Sequence, residues 1–176
     1  DLKSTVLFGH SMGGAVAIEL ASLCPERIGT LILSESNLDP GGGFFSRKVA
    51  AFGEEKYADT AHDGMIRASR RQADGRCWAA TMESSLPQAV YREAVSLVDG
   101  SSPTWREMLY GMSAPRTFIF GEQSLPDPDS DKLAEAGINI EIIPGTGHGM
   151  AWDAPEGLAA AIRRGIDFAG RITDQE

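Results

Sequence analysis

The chain has 176 residues, 42% hydrophobic and 23% charged, with a formal net charge of −9. That is the length and mixture of one globular domain with a sizeable core. The acidic balance argues against nucleic acid and anionic membrane surfaces as partners, and no apolar run reaches the roughly 18 residues of a membrane span. Two cysteines, Cys24 and Cys77, form neither a disulfide framework nor a metal-ligand spacing. Reduced, buried thiols, a cytoplasmic compartment and no metal or cofactor are expected. The first residue is Asp1, which reads as a fragment or a processed chain.

The run Thr5-Val6-Leu7-Phe8 predicts a buried strand over residues 4 to 9. Gly9-His10-Ser11-Met12-Gly13-Gly14 follows, then an Ala-rich helix from about Met12 to Leu23. It stops at Cys24-Pro25, because proline restricts the residue before it. Strand, G-x-S-x-G and helix together predict a nucleophile elbow, a strained turn that lifts the Ser11 hydroxyl clear of the sheet. Gly9 and Gly13 are expected there because side chains at either would collide with the neighbouring strand and helix. The Met12 backbone N–H, at the helix N-terminus, points where an oxyanion would form.

Ile28 to Leu33 predicts a second buried strand, with Glu35 just past its end. Two strands joined by one helix are expected to be parallel neighbours, so Ser11 and Glu35 share one rim of the sheet. Asp39-Pro40-Gly41-Gly42-Gly43 then breaks the pattern. Helical segments follow to about Met112, interrupted at Asp63-Gly64, Asp74-Gly75, Ser85-Leu86-Pro87 and Asp99-Gly100. Residues 41–112 read as a helical lid hinged at glycines, between core segments 1–40 and 113–176. It carries Phe44, Phe45, Trp78 and Trp105; Arg67, Arg70, Arg71 and Arg76 read as a solvated face.

Arg116 to Phe120 is a third predicted strand. Ser130 to Glu135 is a short helix stopped by Gly137. Ile138 to Ile143 is the fourth strand, its alternation suggesting one less buried face. The closing helix starts near Pro155, with Leu158, Ala161, Ile162, Gly165, Ile166 and Ala169 on one stripe.

A serine hydroxyl needs a base, and the base needs a partner that holds its tautomer. Of three histidines, His10 sits inside the elbow facing away from Ser11 and reads as a packing or hydrogen-bonding residue. His62 reads as solvated. His148, in Gly145-Thr146-Gly147-His148-Gly149 on the Ser11 rim, is the candidate base. Two loops offer the acid: Glu35, or Asp127 with Asp129 in Leu125-Pro126-Asp127-Pro128-Asp129.

The elbow, the His148 loop and the inserted lid together resemble the lid-bearing, esterase-like branch of the α/β-hydrolase superfamily. The resemblance spans the whole chain but only the second half of that fold: an α/β arrangement of four parallel strands with flanking helices and a lid after the second strand. It implies Ser11 as nucleophile, His148 as base, and the family order serine, acid, histidine. Many members carry the acid in a Gly-Glu-x-Asp turn, where this sequence has Gly121-Glu122-Gln123-Ser124. Others place it after the strand next to the nucleophile, where Glu35 stands, so the departure at Ser124 favours Glu35 over Asp127. The reaction implied is hydrolysis of a small carboxylic ester or related acyl substrate through an acyl-enzyme, with Met12, Met150 and Trp152 as candidate pocket walls. A non-catalytic receptor-like member and an acyltransferase or perhydrolase are the alternatives. Members of the superfamily carry further strands before the elbow and a loop with a second oxyanion N–H. On that basis the 176-residue chain alone is expected to expose an apolar edge strand, to be poorly soluble, and to be weakly active or inactive.

Overall fold

The four predicted strand segments become four strands: β1 Thr5–His10, β2 Ile28–Ser34, β3 Arg116–Gly121 and β4 Asn139–Ile143. In the computed structural model, which describes residues 2–72 and 75–173, they form one parallel sheet in the order β1-β2-β3-β4. Asp1, residues 174–176 and Asp74 of the expected Asp74-Gly75 interruption lie outside the described residues. Phe8 stands opposite Ile32, Leu33 opposite Phe118, and Phe118 opposite Ile140. Strand and helix bounds fall within a residue or two of those read from the sequence.

Residues 1–38 and 103–176 form one compact unit, residues 39–102 a second. In the first, alternation along β2 sends Ile32 to one face and Leu31 and Leu33 to the other, all three essentially fully buried. Ile32 joins Ile119, Ile143, Met150, Leu158 and Ala161 in one core cluster. Each large aliphatic side chain buried there contributes about 1.5–3 kcal/mol. The closing helix Pro155–Thr173 lies close against the sheet at Gly165, where a Cβ would lie 3.0 Å from Thr117 Oγ1 and 3.2 Å from Ile32 Cδ1. Its contact line runs through Leu158, Ala161 and Ala169, so Ile166, expected on the buried stripe, is left on the flank and exposed.

The helix Met12–Leu23 contacts β1 and β2, and also the helix Trp105–Gly111. Trp105 is buried, and its Nε1–H donates to Glu19 Oε1 at 2.8 Å. Residues 103–112, expected in the inserted segment, therefore belong to the sheet-bearing unit. β1 pairs with β2 alone among the described residues, and its Val6 and Phe8 are 41% and 37% exposed. β4, at the other edge, exposes Ile142.

The second unit contains the helices Phe44–Ala50, His62–Ser69, Arg76–Glu83 and Pro87–Asp99. A single turn, Glu54–Lys56, runs through a π-helical stretch, Tyr57–Ala61, into the second of these helices. Val49, Tyr57 and Ala94 form one buried cluster and Ile66, Ala79 and Met82 another, with Phe45 and Val90 packed against both. His62, expected to be solvated, is buried here. The wider π turn aligns it with Tyr57, five residues earlier. Tyr57 O–H donates to His62 Nδ1 at 3.0 Å, and His62 Nε2–H donates to the Met82 carbonyl at 3.1 Å. The four arginines do lie on an exposed face. The free cysteines are not buried as expected: Cys24 is half-buried and Cys77 exposed. No helix among the described residues is long and apolar enough to cross a membrane.

Candidate active site

Ser11 occupies the turn between β1 and its helix, with φ 53° and ψ −125°, a conformation that costs a non-glycine residue roughly 1–3 kcal/mol unless its surroundings enforce it. The Ser11 N–H donates to the Ser34 carbonyl on β2 at 2.9 Å, and the Gly14 N–H donates to the Ser11 carbonyl at 2.9 Å. Close packing explains only one of the two expected glycines. A Cβ at Gly9 would lie 2.5 Å from the Gly13 carbonyl oxygen and 2.7 Å from Gly14 Cα, whereas one at Gly13 meets nothing within 4 Å. The second crowded position is Gly14, whose Cβ would collide with the Ser36 side chain at 2.1 Å. Met12 opens the helix, so its N–H is among the four at a helix start without an intrahelical acceptor, at the positive end of the helix dipole.

His148 follows β4 on a loop that the end of β3 grips. The Gly145 N–H donates to Glu122 Oε2 at 2.8 Å, Gln123 Nε2–H to the Gly145 carbonyl at 2.9 Å, and the Gln123 N–H to the Thr146 carbonyl at 2.9 Å. Gly121 permits the approach, since a Cβ there would lie 2.6 Å from the Thr146 carbonyl. So held, the imidazole sits between two partners. Its Nδ1 lies 2.9 Å from Glu35 Oε2 and its Nε2 3.1 Å from Ser11 Oγ. A carboxylate only accepts, so Nδ1 carries the proton, and the bare Nε2 accepts from the Ser11 hydroxyl. The candidate nucleophile, candidate base and candidate orienting acid are thus within hydrogen-bond reach in that order.

Glu35 also has an unusual backbone, with φ 40°. Its side chain is 10% exposed, against 59% for His148. The Gly121 N–H donates to its Oε1 at 2.9 Å. Burial pushes its carboxyl pKa up. Hydrogen bonds from His148, Ser124 and Gly121 more than offset that, so the net shift is below the usual glutamate value. Ser124, standing where the resembled family's aspartate would be, thus supports the carboxylate instead of replacing it. Nothing local in the sequence marks Ser124 or the Gly121 N–H for this role; the pairing of β2 with β3 is what brings them to Glu35.

Asp127 lies elsewhere. It caps the helix Pro128–Glu135 and accepts from the Asp129 N–H at 2.8 Å. Asp129 pairs with Arg106 at 2.7 Å. Among the suggested pocket residues, Met150 is fully buried in the core cluster, while Trp152 is 58% exposed on the short helix Met150–Asp153. His10 packs its ring against that of His148, with centroids 4.8 Å apart.

The model of the alpha/beta hydrolase family matches residues 1–161. A Haemophilus influenzae protein named "Putative esterase/lipase" is 39% identical over 49 residues, 28% of this chain and 17% of that protein. A thermophilic esterase from Thermogutta terrifontis, solved with malate bound, superposes with a TM-score of 0.72 at 23% identity, over 95% of this chain and 66% of that one. A haloalkane dehalogenase variant from Bradyrhizobium elkanii superposes with a TM-score of 0.68 at 13% identity, over 99% and 70%. The chain therefore spans about two thirds of the length of these solved structures, and its likeness to them is one of fold.

Proposed function

The chain belongs to the α/β-hydrolase family, and from that membership we propose that it is the part of a serine esterase that carries nucleophile, base and acid. The observation that supports this reading is the relay of two hydrogen bonds, Ser11 Oγ to His148 Nε2 at 3.1 Å and His148 Nδ1 to Glu35 Oε2 at 2.9 Å. In the proposed reaction Ser11 Oγ attacks an ester carbonyl while His148 Nε2 takes its proton. Glu35 keeps the second imidazole proton on Nδ1 and stabilises the imidazolium. The Met12 N–H donates to the developing oxyanion. His148 then returns the proton to the leaving alcohol, and a water activated by the same imidazole hydrolyses the acyl-serine.

The substrate class rests on the esterase names among the similar proteins and on a serine at the nucleophile position, which suits acyl transfer. The helical unit enters the chain four residues after Glu35. On that position we read it as the lid that selects substrates, with Trp152 on the sheet-bearing unit as a pocket wall.

The test is labelling of the full-length chain with a fluorophosphonate, together with turnover of a chromogenic short-chain ester. Covalent labelling that disappears in Ser11→Ala, with a loss of turnover on the order of 10⁶, is the expected result. A wild-type chain that neither labels nor hydrolyses esters, or a Ser11→Ala chain that still does, removes the proposal.

A further inference from the structure

His10 stands inside the site yet takes no part in the proposed proton transfer. It is the last residue of β1, directly before Ser11 and opposite Ser34 in the β1–β2 register. Its Nδ1 lies 2.8 Å from Ser34 Oγ, and Ser34 is fully buried. The same Ser34 accepts the Ser11 N–H on its backbone carbonyl. The two imidazole rings meet at 4.8 Å between centroids, their planes tilted by 42°. His148 itself is more than half exposed on its loop, so besides its two hydrogen bonds it needs a packing surface to keep its orientation.

We infer that His10 is a positioning residue for the base: anchored on Ser34, its ring packs against His148 and holds that imidazole in line between Ser11 and Glu35. This rests on the reading of His148 as the general base. The charged and titratable groups that act on His10 are His148, from the loop after β4, and Glu35, from the end of β2. Burial disfavours a charge on His10 and a protonated His148 disfavours it further. The opposing pull of Glu35 and of the Ser34 backbone is smaller, so the His10 pKa lies below the usual histidine value. When His148 takes the serine proton, the ring beside it stays neutral. A second imidazolium at that distance would repel the first and weaken the base.

Three variants of the full-length chain test this. They are read by the pH dependence of fluorophosphonate labelling at Ser11, and by kcat and KM on the ester. His10→Phe keeps a ring but loses the anchor, and Ser34→Ala removes the anchor alone. Both are expected to lower kcat roughly 10-fold, a misorientation effect, with KM unchanged. His10→Lys places a fixed cation beside the base and is expected to move the acid limb of labelling down by about one pH unit, which loss of packing alone would not do. Circular dichroism confirms folding; if His10→Lys fails to fold, the other two variants decide. Wild-type kcat in His10→Phe and Ser34→Ala, or an unmoved acid limb in a folded His10→Lys, overturns the inference and leaves the esterase reading standing. A wild-type chain that does not label at Ser11 overturns the esterase reading and the role of His10 with it.

Discussion

Ser11 and Glu35 leave adjacent parallel strands in the same way. Each is the first residue beyond its strand, each has a positive φ, and each donates its backbone N–H to the next strand: Ser11 to the Ser34 carbonyl at 2.9 Å and Glu35 to the Ile119 carbonyl at 3.1 Å. The ladder is thus extended one residue past the strand end, at the cost of a left-handed backbone. That twist turns both side chains toward the His148 loop, and the sheet enforces it at two successive steps.

The first prediction concerns Glu35. Glu35→Gln keeps the shape but cannot stabilise an imidazolium, and an amide N–H turned toward His148 favours the wrong tautomer. Turnover is expected to fall by on the order of 10⁴, measured as kcat on the ester.

Glu35 also sets a pH dependence of stability. Its folded pKa is lowered, so its contribution is present above the unfolded carboxyl value and is lost as the pH falls through the folded value. Denaturant titrations across the acid range are expected to show a steeper loss of stability in the wild type than in Glu35→Gln. His10, also lowered, acts in the same direction at the higher pH where an unfolded histidine titrates, and His10→Phe removes that part.

At the turn, Gly9→Ala and Gly13→Ala are expected to differ sharply. The first drives a methyl into the Gly13 carbonyl and Gly14 Cα, which are backbone and cannot step aside, and is expected to cost more than about 3 kcal/mol, an overpacking penalty at its upper end. The second adds a methyl in open space on a helix, and is expected to be neutral or to stabilise by up to about 1 kcal/mol. Thermal unfolding of the two variants checks this.

Asp127→Ala is expected to cost about 1 kcal/mol through loss of the helix cap while leaving ester turnover within about twofold. A collapse of turnover without unfolding would move the acid role away from Glu35.

In the helical unit, Tyr57→Phe leaves His62 Nδ1 without its donor in a buried site and is expected to cost about 1–3 kcal/mol. Burial raises the Tyr57 pKa to about 12. The stability it reports is complete below the unfolded tyrosine value and is lost as the pH rises toward 12. An absorbance titration is expected to show a late-ionising tyrosine that Tyr57→Phe removes.

Much of this arrangement is legible in the residues. Continuous apolar runs mark the first two strands, alternation marks the fourth, Cys24-Pro25 marks the end of the first helix, and the resemblance, through its departure at Ser124, points to Glu35 as the partner of His148. What escaped depends on contacts between segments distant in sequence. Gly14, not Gly13, is crowded because the loop after β2 returns Ser36 to it. His62 looks polar in its own segment, and only the π turn pairs it with Tyr57. The helix after Thr104 had a readable start in Thr104 and Glu107, which bond reciprocally as a capping box. Nothing local, however, says that Trp105 reaches Glu19.

The helical unit enters and leaves at neighbouring points. The Gly41 N–H donates to the Val98 carbonyl at 2.8 Å, and Gly100 lies so close to Pro40 that a Cβ would sit 2.5 Å from that ring. On the sheet side, the Arg106 N–H donates to the Leu38 carbonyl at 2.8 Å. Both ends of the excursion are therefore closed off, and the sheet experiences it as a short loop whatever its length. Such a segment behaves as an interchangeable cassette. Helices of another size or sequence spliced between Leu38 and Pro103 are expected to add little loop-closure entropy and to leave the hydrogen bonds among Ser11, His148 and Glu35 unchanged.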